Sequence, residues 1–371
     1  MEGTKPRTAS SIGMFDMLKG AGMLTIVFAH TAELYPMQAV SGLSLTAFFP
    51  FIYREALMAA FFIASGYGFR KRSIHKCIHQ QLKSLLKPYA YTALFTCVLH
   101  FIIHYKTFQY LPGTIGESIK VTGGFLLGLP HTAKYFGQEF FSCGPMWYLL
   151  ALMVGWVLLD VILNIFPERY VPWAVAGCVL LGWGASLVWE LPFCLIQGAV
   201  VVPYLYIGFL AKKKHLLDEP LPPKVFAGLL GASALIAVGA LATRTTDCIS
   251  LAEWSLGPLS IFLDGAAGLL FIRLFMRLSH FHGRIVRFLE AVGRRSLHIF
   301  CIHTVEIIAI PWYLMVARFS DRPVLGMWLQ YAIALGSIWL VCELLRARRA
   351  LIIRFFPARR KSPAVHYTAR H

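Results

Sequence analysis

Apolar runs long enough to cross a bilayer recur along this chain, and no other feature limits its fold as tightly. A membrane core about 30 Å thick takes about 20 helical residues. Ten runs of that kind cover roughly 14–34, 47–69, 85–104, 146–166, 171–190, 195–211, 225–243, 256–277, 295–316 and 324–344. Hydrophobic residues make up 57% of the 371 and charged ones only 14%, with a mean hydropathy of +0.63, which argues against two or three soluble domains. The expectation is an all-α, polytopic membrane protein of about ten transmembrane helices. It divides into an N-terminal segment (1–13), a membrane domain (14–344) and a basic tail (345–371).

An even number of spans puts both termini on one side, and the positive-inside rule then requires alternate loops to be basic. Arg70, Lys71, Arg72 and Lys76 follow the second run, Arg169 the fourth and Lys212, Lys213 and Lys214 the sixth, while five arginines from Arg277 to Arg295 follow the eighth. The other set is sparse, with no lysine or arginine in 35–46 or 191–194. Both termini are therefore expected in the cytoplasm of a multi-pass protein of the cell membrane, of bacterial plasma-membrane type. The formal charge of +17 reads as topology and contact with membrane lipids, not as nucleic-acid binding. Eight cysteines show no metal-type spacing and fall mostly in apolar runs, as small core residues do. No metal is expected, and the sequence carries no signal for oligomeric state. The loop 105–145 is longer than the rest. Its apolar piece Thr122–Pro130 is too short and glycine-rich to cross, so it is either a re-entrant or interfacial segment over a site or a surface loop.

Ionisable residues inside a span are expensive, which makes each a candidate for function. The first run holds three: Asp16, Lys19 and His30. On a helix, Lys19 and His30 lie roughly 16 Å apart on nearly one azimuth, with Asp16 within about 40° of the same line. One stripe is polar from end to end. Either it serves a site, or Asp16 and Lys19 form a local pair in the headgroups and His30 snorkels to the far interface. In the second run, Arg54 and Glu55 reach a depth comparable to His30, as site residues or as a self-satisfied neighbourhood, and Ser65 and Gly66 permit close helix approach.

The segment Phe15-Asp16-Met17-Leu18-Lys19-Gly20 followed by His30 resembles the opening signature of the acyltransferase 3 family of integral membrane O-acyltransferases. Four further segments match in order: Phe61-Phe62-Ile63-Ala64-Ser65-Gly66-Tyr67, the basic run from Lys83 to Pro88-Tyr89, Met146-Trp147-Tyr148-Leu149, and Gly293-Arg294-Arg295-Ser296 leading to His303. The chain departs from the family in two places. Leu57 and Ala59 stand where many members have a histidine and a proline, which bears on the acceptor side; Lys83 and Lys87 replace a tighter arginine array, which bears on the donor side.

The resemblance implies transfer of an acyl group, often acetyl, from acetyl-CoA or another acyl-CoA to a hydroxyl of a cell-surface glycan or lipid-linked sugar. A sugar hydroxyl is a poor nucleophile at neutral pH, so a base near pKa 7 must take its proton, and histidine suits that task. His30 is the candidate, as general base or as an acylated relay. Asp16 and Lys19 either fix a neighbouring helix or meet the donor. Arg70, Arg72, Lys83 and Lys87 are candidates for the donor phosphates, and Trp147, His303 and Glu306, with Arg54 and Glu55, for the substrate side. A transporter or flippase for a glycan or lipid precursor is the alternative, since it too needs a polar cavity, but the inverted repeats of many transporters are missing.

Overall fold

The computed structural model describes residues 12–35, 56–245, 247–281 and 283–355, and the Arg54–Glu55 neighbourhood lies outside them. The architecture is all-α and of membrane type. Among the described residues, six helical runs are long and apolar enough to span a bilayer: Ile74–Phe108, Gly144–Ile165, Leu195–Lys213, Pro223–Thr243, Pro258–Leu278 and Pro323–Arg348. The other four expected runs are helical as well, but shorter. They are α1 (Asp16–Glu33), α2 (Met58–Gly68), a helix over Val171–Ser186, and one over Ser296–Ala309. At 1.5 Å per residue, the 14 residues of Ser296–Ala309 rise about 21 Å.

Between α2 and the Val171 helix come α3 (Ile74–Gln81), α4 (Lys87–Phe108), α5 (Leu111–Leu127) and α6 (Trp147–Ile165). The Val171–Ser186 helix is α7. After it come α8 (Leu195–Val200), α9 (Val202–Lys213), α10 (Pro223–Thr243) and α11 (Pro258–Leu278). The chain continues through α12 (Arg284–Gly293), α13 (Ser296–Ala309), α14 (Tyr313–Arg318) and α15 (Pro323–Phe355).

Local chemistry explains where the boundaries differ from the sequence expectations. The third run starts near Ile74 instead of residue 85, because α3 passes through a π turn at Leu82–Leu86 directly into α4. The 105–145 loop holds a full helix, α5. It ends at Gly128 in the left-handed region (φ 60°), a conformation glycine adopts without Cβ strain. A two-stranded hairpin follows, β1 (Ala133–Tyr135) with β2 (Gln138–Phe140), in register Tyr135 to Gln138. The ninth run breaks after Ala309, where Pro311 lacks an N–H and blocks helix continuation.

The outer surface carries large apolar side chains in quantity, among them Leu241 (79% exposed), Leu181 (76%) and Trp173 (75%). Water would penalise such a continuous apolar surface, whereas lipid tails solvate it. Close backbone-to-backbone crossings hold the centre, and two of them bear on the site. A Cβ at Gly66 on α2 would overlap the Leu205 carbonyl of α9, and one at Gly208 would overlap the Ile63 carbonyl of α2. Phe62 stacked on Tyr204, and Phe69 just past the end of α2 edge-on to Phe209, show that these two helices run parallel. In the second crossing Gly20 of α1 meets the Leu289 carbonyl of α12 and Gly293 meets that of Asp16. This pair runs antiparallel.

These crossings predict a sharp contrast between glycines. Gly66→Ala should cost roughly 1–3 kcal/mol through overpacking and lower the melting temperature of detergent-purified protein. Gly231→Ala, on the open face of α10 where an added Cβ meets nothing within 4 Å, should leave it unchanged or raise it through better helix propensity. Equal melting temperatures for the two variants would deny that the α2–α9 crossing is a packing constraint.

Candidate active site

His30 sits near the end of α1 with its Nδ1 3.4 Å from Glu33 Oε2, one turn on. Across from it, on α13, His303 Nδ1 lies 2.9 Å from Glu306 Oε2. The two imidazole rings face each other, with centroids 5.7 Å apart and planes tilted by 31°. His303 and Glu306 are buried at 1% and 7% exposure. With Nδ1–H donating to the carboxylate, the Nε2 of His303 is left as the lone-pair nitrogen, and it has no hydrogen-bond partner among the described residues.

The two histidine–glutamate pairs are copies of one short pattern, His30-Thr31-Ala32-Glu33 and His303-Thr304-Val305-Glu306. In both, the threonine hydroxyl returns to the carbonyl four residues back, Thr31 to Val27 at 2.8 Å and Thr304 to Phe300 at 3.0 Å. This repeat was present in the sequence as a signal that two helices present alike dyads, and it passes unnoticed when each run is read alone.

Two adjoining cavities follow α1, one beside Lys19 and one beside His30. The first, about 320 Å³, is lined by Phe15, Lys19, Ser65, Gly68, Leu85 and Trp156 among others. The second, about 160 Å³, is lined by His30, Glu33, Trp147 and the 248–251 loop. Ile26, Met58, Tyr148 and Phe300 line both and form a collar between them. Tyr148 is fixed there by a 3.1 Å hydrogen bond between its hydroxyl and that of Ser65, by Phe62 with ring centroids 4.6 Å apart, and by an edge contact to Phe300. Tyr148 and Phe300, with the 248–251 loop, line these cavities although none was a site candidate in the sequence. Ser65 and Tyr148 did fall within the segments Phe61–Tyr67 and Met146–Leu149 that carry the family resemblance.

The sequence candidates thus fall into groups. His30, Trp147, His303 and Glu306 gather at one end of the two-cavity path, His303 and Glu306 directly behind the ring of His30. Lys19 lines the other end, with its Nζ 3.4 Å from Asp16 Oδ1. Asp16 itself is buried at 8% exposure, its backbone against Gly293. Arg70, Lys83 and Lys87 are exposed and Arg72 half-exposed. Gly68 and Leu85, each two residues from one of these cations, line the larger cavity. The Arg72 backbone is fixed by its N–H donating to Asp160 Oδ1 at 2.9 Å and its carbonyl accepting from Asn164 Nδ2 at 2.8 Å. The Lys87 ammonium stands 5.8 Å above the Tyr91 ring.

The arrangement brings together an imidazole that lines a cavity, a buried histidine–carboxylate pair facing it, and a largely apolar second cavity that reaches Lys19. No curated protein and no solved structure matches the chain. The profile of an acyltransferase domain, that of the acyltransferase 3 family, matches residues 12–346, nearly the whole chain, and the protein belongs to that family.

Proposed function

We propose that this chain is an O-acyltransferase that moves an acyl group, acetyl in the first instance, from acyl-CoA to a hydroxyl of a cell-surface glycan or lipid-linked sugar. One observation carries the reading: the Lys19 cavity and the His30 cavity meet at the Tyr148 collar. A donor entering from the basic end and an acceptor entering from the other would meet there. The thioester reaches the collar from the Lys19 side while Arg70, Arg72, Lys83 and Lys87 hold the CoA phosphates. The acceptor hydroxyl, in the other cavity, gives its proton to His30. Its oxygen attacks the thioester carbonyl, the C–S bond breaks, and the proton passes from His30 to the departing sulfur. His303, held by Glu306, lies against the His30 ring and fixes its orientation. Apolar walls keep water away from the acyl carbon, so transfer outruns hydrolysis.

The reading requires a sidedness, with the basic end and both termini in the cytoplasm. Ten crossings would satisfy it, the shorter helices tilting little or pairing with locally thinned bilayer. The relative directions of α1, α2, α6 and α13 support it: Lys19 lies beside Ser65, Trp156 and Ser296 at one end, and His30 beside Trp147 at the other. A membrane-impermeant thiol reagent applied outside intact cells should label a cysteine introduced at the exposed Phe136 and spare ones at His75 and Leu216. Labelling of position 216 from outside would reverse the orientation.

His30→Ala should lower kcat/KM for acyl transfer by about 10²–10⁴-fold, the usual worth of a positioned base, with the protein at normal abundance in the membrane. Retention of more than about a tenth of wild-type transfer would remove the base from the mechanism. Intact transfer together with altered export of a glycan would restore the transporter reading.

Replacing Arg70, Arg72, Lys83 and Lys87 singly with Gln should raise the KM for acyl-CoA with little change in kcat, because these groups hold parts of the donor remote from the carbonyl. Unchanged donor KM in all four variants would leave that cluster to lipid phosphates.

A further inference from the structure

A third cavity, about 80 Å³, opens beside the His30 chamber. On the measure where one water needs roughly 10–15 Å³, it has room for several waters. Its walls come from the α5–β1 connection (His131), β1 (Tyr135), the α7–α8 connection (Trp189, Glu190), Gln197 of α8, and Leu251. Leu251 also lines the His30 cavity, so the partition between the two is the 250–251 backbone. That partition is braced from the far side. The carbonyl of Ser250 accepts from His131 Nδ1 at 3.0 Å and from Gln197 Nε2 at 3.3 Å.

Gln197 is 2% exposed, and its Oε1 is buried with no hydrogen-bond partner among the described residues. A buried amide oxygen without a donor is costly, and a site built around one selects a ligand that supplies the missing donor. The rest of the lining narrows the choice. Glu190, with Oε1 3.4 Å from His131 Nε2 and a side chain 53% exposed, is a second acceptor. Trp189, 64% exposed, offers a free indole face. Among the described residues no lysine or arginine lines the cavity, which disfavours a phosphate or carboxylate, and the buried polar oxygen disfavours an apolar ligand. Hydroxyl donors around a ring with a C–H face fit this set.

We propose that this cavity is a second sugar subsite. The sugar to be acylated occupies the His30 chamber, and its neighbour in the glycan chain passes over Leu251 to place hydroxyls on Gln197 and Glu190 and a ring face on Trp189. The subsite rests on the acyltransferase reading above, and it makes the acceptor an oligomeric glycan instead of a single sugar.

The test uses full-length protein in lipid nanodiscs with acetyl-CoA or succinyl-CoA as donor. The acceptor is glycan extracted from host cells lacking the chain, given intact or after acid hydrolysis to monosaccharides. Wild type should favour the intact glycan by at least about tenfold in kcat/KM, equivalent to about 1.4 kcal/mol. In Trp189→Ala and in Gln197→Leu the ratio of the two kcat/KM values should fall toward one. A ratio that persists in both variants overturns the subsite. So does a parallel fall for both acceptors, which would make Gln197 a strut for the Ser250 loop. Equal use of the two acceptors by wild type overturns the subsite alone, whereas a wild type that acylates neither fails the acyltransferase reading and the subsite with it.

Discussion

The facing of two imidazoles across α1 and α13 is the constraint on which the rest of the structure depends. Placing a histidine–carboxylate pair such as His303–Glu306 among apolar helices costs desolvation free energy that is recovered only if the geometry is held closely. The 2.9 Å contact between them meets that condition, and α1 must then be fixed so that His30 stays against the His303 ring. The α1–α12 crossing does this: with Gly20 and Gly293 the two backbones touch, and α12 leads through Arg294 and Arg295 directly into α13. The helix that carries His303 is thus tethered to the start of the helix that carries His30.

Hydropathy made the all-α membrane architecture legible, because length and apolarity of a run are local properties. The runs 146–166, 225–243 and 256–277 agree with α6, α10 and α11 to within a few residues. Local signals failed where tertiary contacts or single residues decide. Thr122–Pro130 reads as too short and glycine-rich to cross, and nothing local in it says that it closes a longer helix. In the fold, Gly124 lies at the end of one because the Phe141 backbone crosses it with no room for a Cβ. The ninth run reads as one span, yet Pro311 divides it.

For the site, the polar stripe of Asp16, Lys19 and His30 follows from helical periodicity alone. No sequence pattern says which helix the stripe faces, so the meeting of His30 with His303, some 270 positions away, needs the fold. The same holds for the Tyr148 collar and for the 248–251 loop, whose residues have ordinary loop composition and matter only because their backbone forms the wall of two cavities.

The account turns on the claim that donor and acceptor meet at the collar of Ile26, Met58, Tyr148 and Phe300. An electron cryomicroscopy structure with S-ethyl-CoA, an unreactive thioether in place of the thioester, tests it most directly. The account predicts CoA phosphates near Arg70 and Lys87, the pantetheine arm in the cavity beside Lys19, and the thioether sulfur at the collar on the side away from His30. Density for the arm outside the bundle, with the Lys19 cavity empty and the collar closed, would contradict it.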